Sequence, residues 1–122
     1  MITGDVVYSG TPIAFLQGVD PERGVVTDKD SEIYNIAFKN KILVFPNAVG
    51  SSVGAYVIYR LKKNNVAPLA MINETSDIIT ASGCAVAGIA LLDMENHDII
   101  LLKNKVVKID SKKSTIEIKS RS

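Results

Sequence analysis

The sequence predicts a mixed α/β domain. Three observations carry that reading. Short apolar runs of strand length recur at residues 42–45, 69–72 and 89–92. The stretch after the first run spaces its apolar residues as a helix does, at Val53, Val57 and Leu61 and at Gly54 and Ile58. The tail, residues 99–119, breaks into apolar and alternating segments separated by turn residues.

The bulk numbers set the frame. A chain of 122 residues with 47% hydrophobic and 22% charged residues is expected to form one domain, residues 1–122, with a real core. A net charge of +1 gives no electrostatic case for nucleic acid or an anionic membrane. No apolar run approaches the roughly 20 residues of a spanning helix. Met1 to Asp5 has no basic segment and no apolar core of a leader, and the one cysteine, Cys84, forms no internal disulfide. Together these point to the cytoplasm.

In chain order, residues 4–8 read as a first strand, and Ser9–Pro12 as a turn. Residues 13–16 form a short apolar segment. Residues 17–24 read as a loop, because Gly18, Asp20–Pro21 and Gly24 break regular structure. Residues 25–27 suggest a brief strand, 28–33 a loop, and 34–39 a bend into the strand at 42–45. Pro46 cannot extend a sheet ladder and ends that strand. A small-residue turn, 47–52, leads into the helix. Ser51 or Ser52 can cap it, Lys62 and Lys63 suit its negative end, and Asn64–Asn65 supply a left-handed stop.

Residues 66–72 read as a second buried strand, beginning near Leu69 because of Pro68. A strand, a helix and a strand joined this way imply a parallel crossover. Residues 73–77 form a polar turn at the strand's end, where ligands gather in open α/β sheets. Glu74 and Asp77 therefore either face a site or cap the next helix, residues 78–88. A third strand follows at 89–92. His97 belongs to a polar turn. Residues 99–102, 106–109 and 115–119 read as strands, the last with lysines that blunt an edge, and residues 120–122 as a frayed end.

The stretch 42–65 draws attention for its chemistry. A strand, then Gly50-Ser51-Ser52, then a helix start aims backbone N–H groups and hydroxyls at one spot, a natural anion site. A plain helix cap explains one serine; two adjacent hydroxyls after a glycine exceed that need. Cys84, among alanines and glycines, reads as a small buried hydrophobe. With one cysteine and one histidine, the chain is expected to hold no metal site of its own.

Pro46, Gly50-Ser51-Ser52, Gly54, Tyr56, Ala67-Pro68 and Asp77 resemble the signature of the aconitase X small subunit. Residues 12–24, PIAFLQGVDPERG, resemble that family's second motif. The resemblance covers residues 4–93, with residues 99–119 as an added strand pair. It departs from the usual pattern at Val49 (Arg), Ala55 (Ser), Ala14 (Ser) and Gln17 (Gly).

The resemblance implies the swivelling β/β/α fold of the aconitase small domain. It also implies the small subunit of a two-subunit hydro-lyase, a heterodimer in which a large subunit holds a [4Fe-4S] cluster. The implied substrate is small and phosphorylated: 5-phosphomevalonate, dehydrated to trans-anhydromevalonate 5-phosphate on an archaeal isoprenoid route. By motif position Ser51 is the implied base. Gly50 and Ser52, with Gly18, Val19 and Asp20 of the second motif, are the implied substrate-binding residues, and Arg23 is a candidate cation. The two motifs are expected side by side on one face. The alternatives are a cis-3-hydroxy-L-proline dehydratase small subunit and a non-catalytic interaction module. A phosphohistidine carrier of the same fold is disfavoured, because His97 starts no helix.

Overall fold

The computed structural model describes residues 1–95 and 98–119. The expectations for His97 and for residues 120–122 lie outside the described residues.

Strand β4 (Ile42–Phe45) is buried at all four positions, as an uninterrupted apolar run requires. It pairs in parallel with β1 (Ile2–Tyr8) on one side and β5 (Ala70–Asn73) on the other. Strand β6 (Ala90–Asp93) continues the parallel series beyond β5. On the far side of β1 the sheet turns antiparallel, through β7 (Val106–Asp110) and β8 (Thr115–Lys119). The order is β6-β5-β4-β1-β7-β8, so the strand pair read in the tail extends the main sheet. The mixed α/β class is that of the sequence reading, and both crossovers are parallel as the strand–helix–strand pattern implied.

The period-2 alternation of the strands divides two cores. Val7, Leu43, Phe45 and Met71 face one side. They are covered there by α2 (Gly54–Lys63), α3 (Ile78–Ala87) and the 13–38 segment, including Phe15 and Phe38. Ile42, Val44, Ala70 and Ile72 face the other side and meet Val107, Ile109, Ile99 and Leu102. Helix α2 stops as its sequence suggests. Asn65 adopts φ 62°, and the Val66 N–H reaches back to the Leu61 carbonyl at 3.0 Å.

Several expectations are corrected. Residues 99–102 are not a strand: they form a 3-10 helix, Asp98–Leu102. Ile99 and Leu102, three apart, are buried, while Ile100 and Leu101 face outward at 60% and 57% exposure. Three-residue spacing suits 3.0 residues per turn, and a uniform apolar run hides that period. Residues 17–24, read as a loop, are more ordered than that, together with the segments on either side. They form one helical turn, α1 (Phe15–Gly18), and then a small hairpin of β2 (Val19–Asp20) and β3 (Val25–Val26). Helix α2 begins one or two residues later than a serine cap implies. Val53 is its N-cap position, has no side-chain capping bond, and is 53% exposed, outside the core.

Helices α2 and α3 touch closely because Gly83 has no side chain. A Cβ there would lie 2.8 Å from Ile58 Cδ1, 2.9 Å from Ile58 Cβ and 3.0 Å from the Ala55 carbonyl oxygen. In an open helix Gly→Ala adds up to about 1 kcal/mol of stability. Here the sign reverses. Gly83→Ala is expected to destabilise the chain by ~1–3 kcal/mol through overpacking, read as a lower midpoint in urea unfolding.

Candidate functional site

Strands β1, β4, β5 and β6 run parallel, so their C-terminal ends share one edge. In open α/β sheets that edge is where ligands bind. Residues 46–53 leave β4 there. Ile13 pairs with Ala48, and the Val49 N–H bonds to the Ile13 carbonyl at 3.0 Å, which fixes the 13–17 segment beside the turn. Gly50 has φ +92°, a conformation that favours glycine.

Ser51 and Ser52, both exposed, then wind into α2. The Gly54 N–H donates to the Ser51 carbonyl at 2.9 Å, and the Ala55 N–H to that of Ser52 at 3.2 Å. The Ser51 hydroxyl accepts the Val53 N–H at 3.1 Å. It thus satisfies a donor within the turn rather than capping α2 at the N-cap position.

Asp77 anchors this turn from the next crossover. It is the N-cap of α3: Oδ1 accepts the Thr80 N–H at 2.9 Å. Oδ2 accepts the Ala48 N–H at 2.8 Å. Of the two readings for Asp77, capping is the one its hydrogen bonds show, together with a tie across 29 residues. Glu74 lies on the same edge, with its N–H on the Pro46 carbonyl at 3.0 Å. The Tyr8 phenol sits on this edge too. Burial first, then the charges of Glu32 and Glu74, push its pKa above the usual value.

Asn73, the last residue of β5, was read as part of a polar turn. It is fully buried, and among the described residues neither its side-chain amide nitrogen nor its side-chain oxygen has a hydrogen-bond partner. By strand alternation it shares the helix-facing side of the sheet with Met71. A buried unpaired amide costs about 1–3 kcal/mol.

The second motif divides in two. Its start meets the Ser51 turn: a Cβ on Gly50 would lie 3.7 Å from Gln17 Oε1 and 3.8 Å from Ala14 Cβ. Gln17 is the contact that sequence reasoning passed over. Gly18 ends α1 and is buried. The motif's tip lies elsewhere. Asn64, at the far end of α2, donates its side-chain amide to the Pro21 carbonyl at 2.9 Å, and Arg60 sits 3.9 Å from Glu22. A ten-residue helix puts that tip about 15 Å from Ser51 along α2.

Val19 is buried in the core. Asp20 is committed to Arg23 Nε at 2.8 Å, a bond that holds its carboxyl below the usual carboxylate range. The structure therefore brings Gly50, Ser51, Ser52 and the segment ending in Gly18 together. It places Asp20 and Arg23 away from them.

Among the described residues no three of His, Cys, Asp and Glu converge as a metal-binding set. Cys84 is buried with its thiol 3.6 Å from Met71 Sδ. Burial first, and then the charge of Asp77, push the thiol pKa from 9.0 up to about 12. A neutral, enclosed thiol does not suit cluster ligation, so the residues described here do not fit an iron–sulfur group. No helix among the described residues is long and apolar enough to cross a membrane.

The aconitase X swivel domain model matches residues 1–118. The chain belongs to the aconitase X swivel domain family. A phosphomevalonate dehydratase small subunit from Methanococcoides burtonii is 46% identical over 120 residues, covering 97% of this chain and 88% of that protein. The protein of the same name from Thermococcus kodakarensis is 45% identical over 116 residues, 94% of this chain and 86% of its own.

The crystal structure of aconitase X from Thermococcus kodakaraensis, in its holo-form, superposes with a TM-score of 0.92 at 44% identity, over 97% of this chain and 89% of that one. A second structure, determined by solution NMR, gives 0.87 at 34% identity, over 98% and 91% of the two chains. The swivel-domain fold implied by the resemblance is therefore that of this chain. In this aconitase X swivel domain, Ala14, Gln17 and Val49 gather around Gly50.

Two outcomes follow from this geometry. The Cys84 pKa is raised by folding, so its stabilising effect is complete below about 9 and lost as pH rises towards 12. At pH 8 maleimide is expected to label Cys84 only as fast as the chain opens, and at once in denaturant, as mass spectrometry would show. Asp77→Ala removes a cap and leaves the Ala48 N–H unpaired. It is expected to cost ~2–4 kcal/mol, measured by denaturant unfolding.

Proposed function

We propose that this chain is the small subunit of a two-subunit hydro-lyase that dehydrates (R)-5-phosphomevalonate to trans-anhydromevalonate 5-phosphate. The observation that carries the reading is the pair of exposed hydroxyls, Ser51 and Ser52, set behind Gly50 at the ligand-binding edge of the parallel sheet. The names of the relatives support the substrate and the division into subunits.

In this reading Ser51 is the base. It takes the proton from the carbon beside the substrate carboxylate; the electron pair of that C–H bond becomes the new C=C bond, the C–O bond on the neighbouring carbon breaks, and the hydroxide released takes a proton from solvent to become water. Serine is a weak base at its free pKa. The Val53 N–H, donated to Ser51 Oγ at 3.1 Å, and the positive end of α2 both favour the alkoxide. Further cationic help comes from the large subunit, since Arg23 is turned to Asp20 at the other end of α2.

Ser52 holds a substrate oxyanion, and Gly50 lets the substrate approach the backbone. Gly18 serves by closing the turn that carries Gln17. Val19 and Asp20 are assigned no substrate contact, because their side chains are spent on the core and on Arg23. In this reading a [4Fe-4S] cluster would be held by the large subunit and not by this chain, and when bound it would supply Lewis-acid chemistry for the leaving hydroxyl.

The test is made in the complex assembled anaerobically with the large subunit. Ser51→Ala is expected to lower kcat for 5-phosphomevalonate about 10²–10⁴-fold. The exposed hydroxyl makes one local bond, so folding stability is expected to change by no more than about 1 kcal/mol. Near-normal turnover would return Ser51 to a local structural role. Dehydration of cis-3-hydroxy-L-proline with no turnover of 5-phosphomevalonate would overturn the substrate.

A further inference from the structure

Helix α3 has the sequence IITASGCAVA, with no charged residue in ten. One side of it packs on the sheet and α2 through Ile79, Thr80, Gly83, Cys84 and Ala87. The opposite side faces outward, yet it is apolar and small. Ile78 and Val86 are 77% and 71% exposed, and Ser82 lies between them on the same stripe at i, i+4 and i+8. A helix apolar on all sides is normally a covered helix.

Helix α2 adds Tyr56 to the same surface, 60% exposed, and Val53 at its N-cap position is 53% exposed. The rings of Tyr56 and Tyr59 lie 5.9 Å apart. With Ala55, Ser82 and Val86 they line a groove of about 280 Å³ between the two helices. The basic residues of α2, Arg60, Lys62 and Lys63, all fall in its last turn, and the groove lining has no charge.

We infer that this α2–α3 face is the docking surface for the large subunit, an inference that rests on the two-subunit reading above. Its size fits. The exposed parts of Val53, Tyr56, Ile78 and Val86 come to roughly 500 Å², at the upper end of what a lone chain leaves bare. That is more than half of the about 800 Å² that each partner gives to a stable interface.

Its position fits as well. Val53 lies two residues after Ser51, and Ile78 follows Asp77, so the stripe begins at the rim of the Ser51 turn. A subunit that completes the pocket must rest beside that turn. The chemistry selects an uncharged partner surface that seats one aliphatic or aromatic side chain in the groove between Tyr56, Tyr59 and Val86.

The test measures affinity for the purified large subunit of the same organism, without substrate, by calorimetry or sedimentation. Val86 lies eight residues along α3 from Ile78, about 12 Å from the Ser51 end, so its substitution leaves the candidate catalytic turn untouched. Val86→Glu is expected to weaken association at least 100-fold, and Ser82→Arg to do the same should Val86→Glu fail to fold. Ile118→Glu, on β8 at a residue 46% exposed, is expected to leave affinity unchanged.

Unchanged affinity in both groove variants would overturn the inference. So would variants that only abolish self-association of the isolated chain, which would make a second copy the occupant. A large subunit that binds through this face yet dehydrates another acid would overturn the substrate and leave the docking surface standing.

Discussion

The structure depends on β4 being apolar on both faces. Four consecutive residues, Ile42 to Phe45, are wholly buried, so the strand needs a covering layer above and below and a paired strand on each edge. The helices satisfy one face, and the 3-10 helix with β7 satisfies the other. The parallel partners β1 and β5 satisfy the edges, and parallel pairing forces long crossovers. Both helix starts are thereby delivered to one rim. The Ser51 turn is where it is because the strand beneath it could not be left uncovered.

A chain of short bonds fixes that rim. Asp77 joins the start of α3 to Ala48, and Ala48 and Val49 join the turn to Ile13. Gln17 follows within one helical turn. The two sequence motifs thus meet through backbone and carboxylate contacts, while the hydroxyls of Ser51 and Ser52 remain exposed on the surface. The buried side-chain amide of Asn73, unpaired among the described residues at the end of β5, is an energetic cost that packing does not explain.

Much of this was legible in the sequence, for physical reasons. Ile42–Phe45, Pro46 and the period of Val57, Ile58 and Leu61 announce a buried strand, its stop and a helix, because burial and ring constraint act locally. Asp77 was legible as a cap for the same reason. Its second bond, to an N–H 29 residues earlier, was not, since nothing local encodes it. Ile99–Leu102 misled because an unbroken apolar run has no period to read. The tip of the second motif misled differently. Gly18 to Gly24 is contiguous in sequence, but a hairpin carries Asp20 and Arg23 along α2 to its far end, and chain proximity gives no measure of that distance.

The place of β1 has a consequence for how the chain is made. It lies between β4 and β7, pairing forward with residues 42–44 and again with residues 106–109. The first pairing becomes possible early in synthesis. The second must wait until residues 106–109 have been made, and until then one edge of β1 and the apolar face of Ile42, Val44 and Ile72 stand open. Long-range pairing of this kind slows folding and leaves strand edges free to meet other chains. Until Val107 and Ile109 are made the second core lacks two of its buried residues, and a nascent chain of that length would offer a chaperone the most apolar surface to hold.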